Sequence, residues 1–256
     1  MRKRASIQVL LRALQDALVE STLPSRSAFE AGGFILMLTP DDPLTWINYA
    51  VPVGEPTKDG VSEMVSIFRA ERRAPRLEFF VELWPELPAQ LEAYGFTCEK
   101  RMPIMVIERT EWRGYASAQD VRNLAPEDVA QLNPALAEAF GMPPSSNGDS
   151  SGETMKSSLA EGRALGAMAM VDGRVVGGGY AVGTPKIREI AGIGTLPTYR
   201  RRGVASAVIA NLLDRFFGDR GEVAWLTPGD DSAQSVYARL GFRPVAEQVC
   251  YQLEAQ

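Results

Sequence analysis

The stretch Arg200-Arg201-Arg202-Gly203-Val204-Ala205-Ser206 decides the reading of this chain. A strand pattern, Glu189 to Thr195, precedes it, and an amphipathic helix pattern, Val204 to Phe217, follows. Val204, Val208, Ile209, Leu212, Leu213 and Phe216 recur at helical spacing, and Gly218 closes the run. Three arginines at a helix N-terminus are electrostatically awkward. The macrodipole already places about half a positive charge there, and each added cation costs roughly 0.3–1 kcal/mol. A bound anion removes the discord. Free amides of a first turn, a glycine that permits close approach and flanking guanidinium groups together make a diphosphate site. A solvated basic helix start accounts for the same seven residues equally well, so the surroundings must decide.

Working outward, both halves of the chain alternate strands and helices. In the first half, Ile7 to Thr22 reads as a helix, Phe34 to Leu38 and Trp46 to Val53 as strands around a Pro40-Asp41-Asp42-Pro43 turn, and Val61 to Arg72 as a helix. Leu77 to Val81 follows as a strand, Pro88 to Tyr94 as a helix ended by Gly95, and Met105 to Glu108 as a closing strand. Trp112 to Ser117 reads as a linker. The second half runs from a strand at Val121 through a helix from Pro126 to Phe140 and a Pro/Ser/Gly-rich loop, Met142 to Gly152, to a short helix near Glu153 to Leu159. Ala167 to Val171 and Arg174 to Ala181 flank the hairpin signal Asp172-Gly173. After the arginine segment come a strand, Val223 to Thr227, a helix, Ser232 to Leu240, closed by Gly241, and a last strand, Val249 to Leu253. This is an α/β (α+β layered) pattern: mixed, mostly antiparallel sheets flanked by helices.

Composition narrows the chemistry. The 256 residues, 45% hydrophobic and 23% charged, suffice for two small cores. There is no histidine. A Ser–His–Asp triad, a Cys–His pair and a His-bearing zinc site are therefore excluded. The formal net charge of −5 argues against nucleic-acid or anionic-membrane binding. Cys98 and Cys250 are too few for a disulfide scaffold and form no CxxC pair, which fits a cytoplasmic protein. Met1-Arg2-Lys3-Arg4 is followed by an apolar stretch broken at Arg12, Gln15 and Asp16, so an amphipathic helix is expected rather than a signal peptide. No apolar run reaches the roughly 18 residues of a membrane span. No metal cluster is visible.

Ile193-Gly194-Thr195-Leu196-Pro197-Thr198-Tyr199 runs into Arg200-x-x-Gly203-x-Ala205, and Asp230-Asp231-Ser232-Ala233 to Tyr237 and Leu240-Gly241-Phe242 follow. This combination closely resembles the GCN5-related N-acetyltransferase (GNAT) superfamily over about residues 117–256. The resemblance implies acetyl-CoA as co-substrate and no metal. It implies that Arg200, Arg201, Arg202, Gly203, Val204, Ala205 and Ser206 hold the pyrophosphate, and that the pantetheine arm runs beside Ile193, Gly194 and Thr195. Gly192 and Gly194 fit a bulge in that strand. Tyr237 occupies the place of the tyrosine that protonates the departing thiolate, although its spacing with Ala233, Val236 and Leu240 also fits a core face. Glu189 occupies the place of a general-base glutamate, with Glu247 and Asp230 as fallback carboxylates. Asp230 departs from the asparagine found in many members, which puts its contact with the cofactor in doubt.

The first half echoes the second. Arg76-Leu77-Glu78-Phe79-Phe80 and Gly95-Phe96 recur 146 positions on, at Glu222 to Leu226 and Gly241-Phe242. The earlier copy has Lys58-Asp59-Gly60 in place of the arginine loop and Leu91 in place of Tyr237. Residues 1–112 are therefore expected to be a degenerate GNAT-like domain, structural or substrate-shaping, and 117–256 the catalytic one. The resulting expectation is direct transfer of an acetyl group to a primary amine. The competing expectation is a sensor that binds acetyl-CoA without turnover. The sequence leaves open the amine acceptor, the preferred acyl group and the oligomeric state, a homodimer included.

Overall fold

The structure is a computed structural model, and it describes residues 2–39, 47–142 and 149–254. The turn expected at Pro40-Asp41-Asp42-Pro43 and most of the Met142 to Gly152 loop lie outside the described residues. The elements are, in chain order, α1 (Arg2–Thr22), β1 (Ser27–Ala31), β2 (Phe34–Leu38), β3 (Tyr49–Pro52), α2 (Lys58–Ala70), β4 (Arg76–Phe80), α3 (Leu87–Tyr94) and β5 (Thr97–Glu108). There follow β6 (Asp120–Asn123), α4 (Val129–Ala139), α5 (Asp149–Ala160), β7 (Ala164–Val171), β8 (Arg174–Gly183) and β9 (Ile187–Thr195). The chain finishes with α6 (Val204–Gly218), β10 (Val223–Leu226), α7 (Asp231–Arg239) and β11 (Arg243–Gln252). Strand β1 has no counterpart in the sequence reading. Its Ser-Ala-Phe-Glu-Ala run lacks β-branched residues and is half exposed, so no pattern marks it.

The chain divides into two compact units, Met1–Ile104 with Pro244–Gln256, and Met105–Arg243. The boundary therefore differs from a simple cut at the linker. In the first unit β11 pairs antiparallel with β4, Val249 opposite Phe79 and Tyr251 opposite Leu77. Conversely, Met105 to Glu108 of β5 pair with β10 in the second unit, Glu108 opposite Val223. Each unit thus includes strand residues from the opposite half of the sequence. Local patterning cannot reveal this, because a buried strand looks the same whichever neighbour it pairs with.

The first unit has the strand order β1-β2-β3-β4-β11 followed by residues 97–104 of β5, and of the pairings from β1 to β11 only that of β3 with β4 is parallel. Helices α2 and α3 cover one face through Val61, Met64, Val65, Phe68, Leu87 and Leu91, packed on Leu36, Leu77, Phe79, Val249 and Tyr251. On the other face Ile35, Met37, Tyr49 and Val51 meet Val19 of α1. The second unit has the order β6-β7-β8-β9-β10 followed by residues 105–108, with only β9 and β10 parallel. One of its faces packs against α6 and α7, where Val208, Ile209, Leu212 and Leu213 are fully buried. The other packs against α4 through Leu132 and Leu136. From β1 and from β7 onward the succession is the same: two antiparallel pairings, one parallel, one antiparallel. The sequence echo is therefore matched by a repeat of topology.

Tyr251 is fully buried, stacks on Phe79 with ring centroids 6.0 Å apart, and donates its hydroxyl to Glu92 Oε1 at 2.8 Å. Replacing it by alanine should destabilise the protein by about 3–5 kcal/mol, the usual cost of an aromatic-to-alanine cavity. Denaturant unfolding of Tyr251→Ala checks this, and a loss below about 1 kcal/mol would contradict the placement of β11.

Candidate active site

Strands β9 and β10 are hydrogen-bonded as a parallel pair only over Ile187 to Glu189, opposite Val223 to Trp225. Beyond that point they diverge. The divergence coincides with a bulge: Gly194 is opposite Gly178 and Ala191 opposite Tyr180, so β9 carries one residue more than β8 between those pairs. Gly192 takes φ +61°, which an L side chain rarely adopts, and this is why a glycine stands there. The bulge expected from the two glycines is present. It also breaks the strict alternation on which Glu189, Ala191, Ile193 and Thr195 would share a face. Glu189 lies opposite Val182, whose side chain packs with the α4 cluster, whereas Ile193 packs with the α6 cluster.

The divergence opens a cavity of about 1100 Å3 in the second unit. Its walls include the β9 segment from Glu189 to Thr195, the start of α6, and the face of α7 that carries Tyr237. Helix α6 begins at Gly203, which is in the left-handed region at φ +79°; just before it Arg201 sits at φ +62°. A non-glycine residue held there stores on the order of 1–3 kcal/mol of strain, the kind found at ligand-binding turns. No side chain caps this helix, and its first turn carries no acidic residue. Among the described residues, the backbone amides of Arg201, Arg202, Gly203, Val204, Ala205 and Ser206 have no intramolecular acceptor, the series of bonds resuming with Ala207 to Gly203. Thr195 Oγ1, in the cavity wall, is likewise buried without a partner. Unsatisfied donors at a helix start, a glycine cradle and an orphaned hydroxyl fit an anionic group such as a diphosphate.

The three arginines have different placements. Arg200 turns back on the protein, donating from Nε to the Thr195 carbonyl at 3.2 Å and from Nη2 to the Ala139 carbonyl at 2.8 Å. It ties the end of β9 to the end of α4 and so fixes the loop. Arg201 is exposed and lines the cavity. Arg202 lies over the Tyr199 ring, 5.3 Å from its centroid, and does not line the cavity.

Asp230 is the N-cap of α7, its Oδ1 accepting from the Ala233 amide at 2.8 Å. That role explains an acid at a helix start without any cofactor contact. Tyr237 is 9% exposed, meets Phe242 edge to face, and makes no hydrogen bond through its hydroxyl among the described residues. Burial, with a smaller contribution from the Asp230 charge, pushes its phenol up to about 12. Core packing and access to the cavity are thus combined in one side chain. Glu189 lines the same cavity, but Glu247 belongs to the first unit and pairs there with Arg101 at 3.4 Å. Tyr115, Phe140 and Val236 also line the cavity, and the sequence reading did not single them out as site residues. Among the described residues, no group of His, Cys, Asp or Glu side chains could hold a metal ion, and no helix is long and apolar enough to cross a membrane.

Residues 129–242 match the model of the acetyltransferase (GNAT) family. This segment is a GNAT domain. The match spans the bulged strand, the arginine loop and α7, the elements that build the cavity. Among solved structures, a GCN5-related N-acetyltransferase from Kribbella flavida is similar at 22% identity, with 96% of each chain covered and a TM-score of 0.78. One from Sphaerobacter thermophilus is similar at 16% identity, covering 97% of this chain and 92% of that one, with a TM-score of 0.63. A tandem GNAT protein from the clavulanic acid biosynthesis pathway is similar at 13% identity, covering 94% and 87%, also with a TM-score of 0.63. At such identities the likeness is one of fold, and it extends over both units. A comparison with curated proteins finds no match.

The cap at Asp230 gives a direct test within the GNAT domain. Asp230→Ala should cost about 1 kcal/mol of stability, while Asp230→Asn, an equally good cap, should stay within about 0.3 kcal/mol of the parent. Thermal unfolding of the two variants measures this, and equal losses would contradict the capping role.

Proposed function

We propose that the second unit moves an acyl group, acetyl in the first instance, from acyl-CoA to a primary amine by direct attack. The observation that carries this reading is the run of unpartnered amides at the α6 start, placed on one cavity with Tyr237. The amides of Arg201 to Ser206 would hold the diphosphate, with Gly203 leaving room for its oxygens. The opened edge of β9, past the bulge, would accept the pantetheine arm beside Ile193, Gly194 and Thr195.

In the reaction, the amine nitrogen bonds to the acetyl carbon and the carbon–sulfur bond breaks. A β9 amide near Ile193 would stabilise the oxyanion between those events. Tyr237 would give its hydroxyl proton to the departing thiolate. Glu189, directly or through water, would take one proton from the ammonium acceptor before attack. The second proton that the nitrogen loses as the tetrahedral intermediate collapses would return, directly or through water, to the Tyr237 phenolate. No covalent enzyme intermediate is involved, which suits a chain without histidine. The sensor reading rested on the charge at position 230 and on an unassigned general base, and helix capping accounts for the first of these.

The first unit is read as a degenerate copy for a physical reason. At the start of α2 the Thr57 hydroxyl accepts from the Gly60 amide at 3.0 Å, and Asp59 supplies the negative charge itself. The backbone of Gly32 presses on the same turn so closely that a Cβ on Gly32 would fall 2.1 Å from Gly60 Cα. The place where a phosphate would sit is filled by the protein.

Tyr237→Phe should lower kcat by about 100-fold or more while leaving the acetyl-CoA Kd within about twofold. A kcat close to that of the parent would remove Tyr237 from the mechanism. The pH profile is a second check. A general acid works while protonated, and a phenol raised from 10 to about 12 stays protonated to higher pH. Tyrosine ionisation should therefore produce no falling limb in kcat below about pH 10. A limb near pH 8 that Tyr237→Phe abolishes would contradict the assignment.

A further inference from the structure

We propose that Tyr115 is a further contact for acyl-CoA, its phenol hydroxyl donating to the diphosphate at the α6 start; this rests on the acyl-CoA reading above. The segment 112–119, whose first six residues the sequence reads as a linker, is fastened at one end to α6 and at the other to the arginine loop before it. Trp112 donates from Nε1 to Asp214 Oδ1 at 2.7 Å, near the C-terminal end of the helix. Gln119 donates from Nε2 to the Arg202 carbonyl at 2.9 Å, in the arginine loop itself. Between these two fastenings stands Tyr115, 41% exposed and in the cavity wall.

The hydroxyl of Tyr115 is the nearest group to the empty side of Gly203. A Cβ built on that glycine would lie 3.6 Å from it, an ordinary van der Waals distance for such an atom, so the hydroxyl stands beside the α6 start. Among the described residues the hydroxyl has no hydrogen-bond partner, whereas Trp112 holds α6, Gln119 holds the arginine loop, Arg113 donates to the Thr110 and Trp112 carbonyls, and Ser117 accepts from the Gln119 amide. A phenol can donate one proton to a phosphate oxygen, a charge-assisted bond stronger than a neutral one. The amides of Arg201 to Ser206 and this hydroxyl would then approach the anion from different elements. The bond between Gln119 and the Arg202 carbonyl gives the segment a second role. It holds the loop in the form that leaves the amides free.

Two ligands separate this proposal from the reading beneath it. Acetyl-CoA carries the diphosphate, while acetyl-pantetheine keeps the thioester and the arm but lacks it. The full-length protein and Tyr115→Phe, which keeps the ring, are titrated calorimetrically with the first and by NMR, into the millimolar range, with the second. The variant should bind acetyl-CoA about tenfold more weakly, the loss expected for one hydrogen bond to a charged group, and acetyl-pantetheine within about twofold of the parent. Unchanged affinity for acetyl-CoA, or equal losses on both ligands, would overturn the proposal. Absence of acetyl-CoA binding by the parent protein would instead overturn the acyl-CoA reading itself.

Discussion

Six consecutive backbone amides, from Arg201 to Ser206, have no acceptor within the described residues, and the arrangement of the second unit follows from that deficit. Any helix leaves its first few amides unpaired. Here the run is lengthened by placing Arg201 and Gly203 in the left-handed region, which turns the chain into α6 without closing the loop on itself. Arg200 contributes by bonding two carbonyls outside the loop, so that its charge holds the backbone rather than filling the site. An anion of matching shape would satisfy these donors. The net charge of −5 makes the local excess of donors and cations at α6 all the more pointed.

The second constraint is the bulge in β9. One extra residue at Gly192 ends the regular pairing with β8, and the parallel pairing with β10 stops at Glu189 and Trp225. A sheet that remained fully paired would have no free edge for a ligand to run along. The glycine-rich β8 permits the compactness around this break. A Cβ on Gly178 would lie 2.5 Å from Leu132 Cδ1, so α4 packs directly on strand backbone there. The cavity is thus bounded by rigid elements on the strand and helix sides. That is what a thioester held for attack by an amine requires.

Much of this was legible in the sequence because it depends on local chemistry. Gly203 before an apolar helix, the Gly192 and Gly194 pair in a strand, and the Gly95 and Gly241 helix ends all act through backbone conformation at one position. Asp230 was harder. Its residue type fits both a cofactor contact and an N-cap; the 2.8 Å bond from the Ala233 amide shows the cap, and the residue also lines the cavity. The individual fates of Arg200, Arg201 and Arg202 were not legible, since three identical side chains diverge according to which carbonyl or ring lies within reach. Tyr115 had no periodic signal at all. The contribution of each half to the other unit's sheet also escaped, because β5 and β11 are each apolar enough to pair in either place. Tertiary pairing, not propensity, decides such strands.

The two units carry the same succession of strand pairings, yet their helix starts differ in what fills them. At the start of α2 the Thr57 hydroxyl accepts from the Gly60 amide and the Gly32 backbone lies against the same turn, while the amides at the start of α6 have no acceptor among the described residues. The central claim is therefore one acyl-CoA site in a chain built from two similar halves. The stoichiometry of acetyl-CoA binding to the full-length protein, measured by calorimetric titration, tests it most directly. One molecule bound per chain is the predicted result, and two, or none, would contradict the account.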